Sequence, residues 1–232
     1  MTKQNFSQRN KGLRKLFLKS NITFSNNPIN RLIVAQSEND KEHLLKKLKD
    51  KISAISECKL KNNSNNIVFN DGNINSPIML IGEAPGQKED ELSKPFVGEA
   101  GSLLNKMLSA INLYRKDLYV TNVVNYRPPL NRKPDSNEIE RYSEFLLEHV
   151  DIIKPKIIIL LGSTAMEAFF GSSLKISKER GIWKEILIKD KTFLTMVTYH
   201  PAYLLRKNDQ KKYSWIDLKK IRNKIDELKI VI

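Results

Sequence analysis

The run IIILLG, Ile157–Gly162, decides the fold. Five consecutive branched apolar residues ending on a glycine have the length of a strand. A strand without polar alternation is one covered on both faces. The same pattern recurs outward from it, at Ile78–Ile81, Leu118–Val124 and Phe193–Thr198, and Lys156 extends the central run backward. Segments with apolar residues at helical spacing fall at about 99–112, 136–153, 163–170 and 215–229. Strand and helix therefore alternate from residue 66 onward. This order predicts an α/β protein, a three-layer α/β/α sandwich on a mainly parallel central sheet of about four strands. Ligand sites in such sheets lie at the carboxyl ends of the strands.

The chain has 232 residues, 40% of them hydrophobic, and a mean hydropathy of −0.43. That is enough for one α/β domain over residues 51–232, with residues 1–50 as a basic, partly helical extension. Asn21–Asn30 in the extension is polar and broken by Pro28, while KEHLLKKLKDKISAI, which runs past its end, places Leu44, Leu45, Leu48, Ile52 and Ile55 at helical spacing. No apolar run approaches a membrane span, and the basic N-terminus lacks the apolar region and cleavage site of a secretory signal. It has only a weak likeness to a targeting peptide. A single cysteine, Cys58, excludes a disulfide framework and suits a reducing cytoplasm, the expected location. Three histidines and one cysteine leave no zinc site of ordinary spacing.

The net charge of +14 is unevenly placed. Residues 1–50 carry 11 Lys/Arg against 4 Asp/Glu, residues 51–200 carry 20 against 18, and residues 201–232 carry 9 against 4. A Lys-rich composition accounts for part of the excess. Its concentration at the two ends points to a polyanionic partner.

Each predicted strand ends in unusual residues. PIMLIGEAPGQKED, Pro77–Asp90, sets Glu83 between glycines at the mouth of a buried strand, with Glu89 and Asp90 within the next helical turn. Phe96 follows in PFVG, Asn122 ends the second run before Arg127, Gly162-Ser163 opens a helix, and the last run leads into HPAYLLR from His200. Singly, each has a plain reading: Phe96 as core, Asn122 as a turn former, His200 as a loop cap. Together a carboxylate, a ring, a carboxamide and an imidazole on one mouth suit a flat heterocycle, stacked on one face and read at its edge. GEAPGQKED is neither a Walker loop nor a dinucleotide fingerprint.

GEAPGQKED, PFVGEAGSLLNKML, YVTNVVNYRPPLNRKP, LLGSTA and HPAYLLR, in this order, resemble the family 4 uracil-DNA glycosylases over about residues 50–220. The resemblance implies a repair enzyme that flips uracil out of DNA, cuts its N-glycosidic bond and leaves an abasic site. It implies Glu83, Asn122 and His200 as catalytic residues. Uracil would be held by Gly82, Glu83, Ala84, Glu89, Phe96, Asn122 and His200. In this scheme Phe96 stacks on the base, Asn122 reads its edge, His200 contacts O2, and Glu89 crowds a thymine methyl. Pro85, Gly86, Arg127, Ser163, Tyr203 and Arg206 would contact DNA, single- or double-stranded, and the chain is expected to act as a monomer without membrane contact.

The family commonly holds a [4Fe–4S] cluster on four cysteines, and here the resemblance leaves only Cys58, in AISECKL. Ile55 stands at a partner's place, and Tyr126 and Tyr142 stand near the other two. No metal and no cluster is therefore expected. Two other readings stay open at this stage: excision of another deaminated base such as hypoxanthine or xanthine, and a non-catalytic uracil- or single-strand-binding descendant. A relative that traps DNA covalently through its histidine fits less well, because the basic insertion after the first motif is missing.

Overall fold

A computed structural model describes residues 38–232. The first 37 residues, with the Pro28 break and most of the basic N-terminal charge, lie outside the described residues. In chain order the helices are α1 (Glu38–Ser53), α2 (Lys59–Asn62), α3 (Gln87–Leu92), α4 (Glu99–Ser109), α5 (Ser136–Ile153), α6 (Ser163–Phe170), α7 (Ile176–Glu179), α8 (Pro201–Arg206) and α9 (Lys211–Glu227). The strands are β1 (Asp71–Gly72), β2 (Ile78–Gly82), β3 (Tyr119–Asn122), β4 (Ile157–Leu161), β5 (Trp183–Ile188) and β6 (Lys191–Thr198).

The six strands form one sheet in the order β1-β3-β2-β4-β6-β5. The pairs β3/β2, β2/β4 and β4/β6 are parallel, so the four expected strands make its centre. Two further strands correct the expected count. β1 adds two residues antiparallel to β3, and β5 returns antiparallel to β6. The reason is exposure: WKEILI in β5 buries only Ile186 and Ile188, so it lacks the continuous apolar run of a central strand.

Successive strand residues point to opposite faces, and two cores follow from that alternation. Met79, Ile81, Ile158 and Leu160 pack with α1, α5 and α6, while Ile78, Leu80, Ile157, Ile159 and Leu161 pack with α4 and α9. This is the three-layer arrangement. The expected boundary at residue 50 falls inside α1, whose Leu45, Leu48 and Ile52 are buried in the first core. Helix α5 begins where its sequence dictates: the Asp135 side chain accepts from the Glu138 amide and Glu138 accepts from the Asp135 amide, both at 2.9 Å.

Candidate active site

The four parallel strands end together, and a cleft of about 660 Å³ opens there. Gly82, last in β2, pairs in register with Asn122, last in β3. A Cβ on Gly82 would lie 2.4 Å from Asn122 Oδ1 and 2.4 Å from Phe96 Cζ, so only glycine lets the carboxamide and the ring close over this strand end. Gly82 itself does not line the cleft.

Phe96 is held in a left-handed conformation, φ 55°, by polar contacts on both sides. Glu89 Oε1 accepts from the Val97 and Gly98 amides at 2.8 and 2.7 Å. Arg115 donates from Nη1 to the Phe96 carbonyl at 2.9 Å and from Nη2 to the Pro95 carbonyl, while its Nε is paired with Asp71 at 2.5 Å. The ring centroid then lies 5.5 Å from that of His200, tilted by 31°. Asp90, beside Glu89, turns away: it accepts from the Asn65 and Asn66 amides and ties α3 to that turn.

His200 is the N-cap of α8, with Pro201 at the first helical position, and its Nδ1 accepts from the Ala202 amide at 3.2 Å. That bond assigns the remaining proton of the neutral ring to Nε2. Burial, reinforced by the Arg206 cation, pulls its pKa down to about 4, so the ring is neutral at pH 7. Gly162 (φ 96°) lets the β4–α6 turn pass close by, since a Cβ there would sit 2.9 Å from His200 Cβ.

The Glu83 carboxylate accepts a short hydrogen bond from Thr164 Oγ1. Thr164 is fully buried at the start of α6 and was not singled out in the sequence, whereas its neighbour Ser163 is exposed on the cleft. Ala84, Pro85, Gly86, Glu89, Tyr203 and Arg206 also line the cleft. Arg127 does not. Its Nε donates to Asn131 Oδ1 at 2.7 Å, and Arg132 and Lys133 stand on the cleft instead.

One atom remains unaccounted for: Asn122 Oδ1 is buried in this cleft without a hydrogen-bond partner. Buried polar atoms are rarely left so, and a waiting acceptor beside a ring marks a place for a planar donor. The profile of the Uracil DNA glycosylase superfamily matches residues 69–219, which spans every element of this cleft. The chain belongs to the uracil DNA glycosylase superfamily. It is 36% identical to the Type-4 uracil-DNA glycosylase of Thermotoga maritima over 79% of this chain and 95% of that protein. It is 40% identical to the Type-4 enzyme of Sulfurisphaera tokodaii, over 77% and 83% of the two chains. Against the Type-4 enzyme of Archaeoglobus fulgidus it is 36% identical, over 73% and 87%.

The iron–sulfur cluster implied by the Type-4 resemblance does not suit the residues at its expected corner. The buried Cys58 thiol is 3.4 Å from the Tyr142 hydroxyl, and burial raises the pKa of both Tyr142 and Tyr126. Ile55 packs against the same core. One thiol, two phenols held neutral and an alkyl chain are not the four thiolates such a cluster takes. Among the described residues no group of three or more His, Cys, Asp or Glu could hold a metal ion.

Proposed function

We propose that this superfamily member is a uracil-DNA glycosylase, hydrolysing the bond between uracil N1 and deoxyribose C1′ and leaving an abasic site. The observation that carries this is the orphan acceptor on Asn122. Uracil offers N3–H as donor beside O4 as acceptor, and one carboxamide satisfies both: Oδ1 takes N3–H while Nδ2 donates to O4. Cytosine presents the reverse pair and would leave both groups unmatched, at about 1–3 kcal/mol each.

The rest of the cleft follows from the chemistry of departure. The target nucleotide leaves the stack and enters the cleft, and its base lies against Phe96. As C1′–N1 breaks, the bonding electrons move onto uracil, and the Nε2–H of neutral His200 meets the charge growing at O2. Positive charge grows on the sugar, where Glu83, aimed by Thr164, orients the attacking water and offsets that charge. Glu89 fixes the Phe96 loop and crowds a 5-methyl group. Pro85, Gly86, Ser163, Tyr203 and Arg206 meet the strand, with Arg132 and Lys133 in the part first given to Arg127. We also infer that the enzyme acts as a monomer in the cytoplasm and works without an iron–sulfur cluster.

The test is release of free base from matched oligonucleotides carrying uracil, thymine, cytosine or hypoxanthine. Uracil alone, released catalytically, is the expected result. Release of hypoxanthine in preference would reassign the substrate. Tight binding with no release would make the cleft a reader of uracil rather than an enzyme.

A further inference from the structure

We propose that the face formed by α8, α9 and α4 is a single-strand path, which carries the substrate strand onward from the cleft; this rests on the glycosylase reading. Helix α8 stands between two concavities. Tyr203 and Arg206 line the cleft, while Leu204 lines a second groove of about 210 Å³ between α4 and α9. Lys211 and Trp215 form the α9 lip of that groove, and Lys219 continues their stripe along the helix, at i, i+4 and i+8. Trp215 is 44% exposed, and the Lys219 ammonium lies 5.8 Å over its ring. Lys106 faces the stripe from α4.

Charge is concentrated where this face meets the cleft. From Arg206 to Lys220 the chain carries six basic residues against two acids, and one of those acids, Asp217, is buried and paired with Arg180. Among the described residues no ion pair involves Arg206, Lys207 or Lys211. Ser214 also lines the groove, its buried hydroxyl without a partner. An exposed ring between cations suits a base flanked by phosphates. An acidic protein segment would meet the same lysines, but continuity with the cleft through α8 favours the strand that already occupies the cleft.

Trp183 and Trp215 are the two tryptophans, so a W183F protein reports from Trp215 alone. It is titrated with uracil-free oligothymidylates of about 5 and about 15 nucleotides, a range that brackets common single-strand site sizes. The longer strand is expected to quench Trp215 and to bind about tenfold tighter, an advantage that shrinks as salt rises. W215A and K211E should each remove most of that advantage while uracil release from a short uracil-containing oligonucleotide stays unchanged. An unquenched Trp215, or variants that bind the long strand like the parent, would overturn the path. So would quenching by an acidic peptide and not by DNA, or a dimer in sedimentation that W215A dissolves. The oligothymidylates contain no uracil, so failure of the glycosylase reading would show separately, as absence of uracil release.

Discussion

The Ala202 amide donates to His200 Nδ1 at 3.2 Å, and this one bond commits the imidazole to carry its proton on Nε2. In the proposed reaction the ring serves as a neutral donor, because a neutral imidazole gives a hydrogen bond to O2 and need not be protonated first. Burial and Arg206 hold its pKa near about 4. The single-turnover rate should therefore stay flat from pH 7 to about pH 5 and fall only as the pH nears about 4. An acid limb centred near 6.5, the ordinary histidine value, would show that the protonated ring is not excluded in this way. His200→Ala should lower kcat far more than DNA affinity, since the contact strengthens only as uracil gains charge.

Asn122→Ala would remove both proposed edge contacts and should lower uracil excision by about 10²-fold or more, the scale of losing a preorganised polar contact. Asn122→Asp should move discrimination toward cytosine, whose amine needs an acceptor. Near-parental turnover of the alanine variant in a uracil-release assay would reduce Asn122 to a strand-end residue.

Much of this was legible from pattern because central strands carry a strong signal. IIILL is buried at every position, and its flanking runs pair with it as expected. Strand β5 was not, because one of its faces meets water and its hairpin turns through Lys189 (φ 54°) and Asp190 without the Asn-Gly or Asp-Gly pair that announces such a turn. At the site, motif order names the ring, carboxamide, imidazole and carboxylate that share one cleft, but not the groups bonded around them. Thr164 looks like any residue in a helical first turn, and Arg115 reaches Phe96 from 19 positions away. Arg132 and Lys133 line the cleft where Arg127 does not, because a short turn with Leu130 at φ 54° redirects the chain between them, and nothing in RPPLNRK signals it.

Thr164 supplies the next prediction. Thr164→Ala takes the donor from Glu83 and lets the carboxylate swing, which should lower kcat about tenfold with little change in KM. Thr164→Ser keeps the hydroxyl and should recover most of the rate. An equal loss in both variants, or a loss confined to KM, would make Thr164 a packing residue only.

On helix α5, His149 is buried against the Phe69 ring at 4.6 Å and bonded through Nε2 to the Tyr119 hydroxyl. Burial lowers its pKa from 6.5 to about 3. The unfolded chain thus takes up a proton below about pH 6.5 that the folded chain refuses until about pH 3. Stability from this group is complete above 6.5 and drains away as pH falls, by about 1.4 kcal/mol per pH unit at most. Denaturant titrations from pH 7 to 4 should show that slope, and His149→Gln should lower the slope by close to one proton. A slope untouched by the substitution would place the acid sensitivity elsewhere.

The corner around Cys58 provides the last prediction. Tyrosine is a poor replacement for soft thiolate ligation, and one thiol cannot fill four positions. Tyr142 instead meets Cys58 edge to edge at 3.4 Å in a core that also holds Tyr126, with Ile55 packed on it. These side chains pack α1 and α2 against α5. Purified without oxygen, the protein should be colourless, free of stoichiometric iron, and folded and active in chelator. Cys58→Ser should cost about 1 kcal/mol or less, because a hydroxyl at that place still reaches the Tyr142 oxygen. Tyr142→Ala should cost several-fold more, about 3–5 kcal/mol, by opening a cavity at a fully buried ring. A brown protein with about four irons per chain, losing its fold as the colour bleaches, would mean that chains share ligands and that the packing account is wrong.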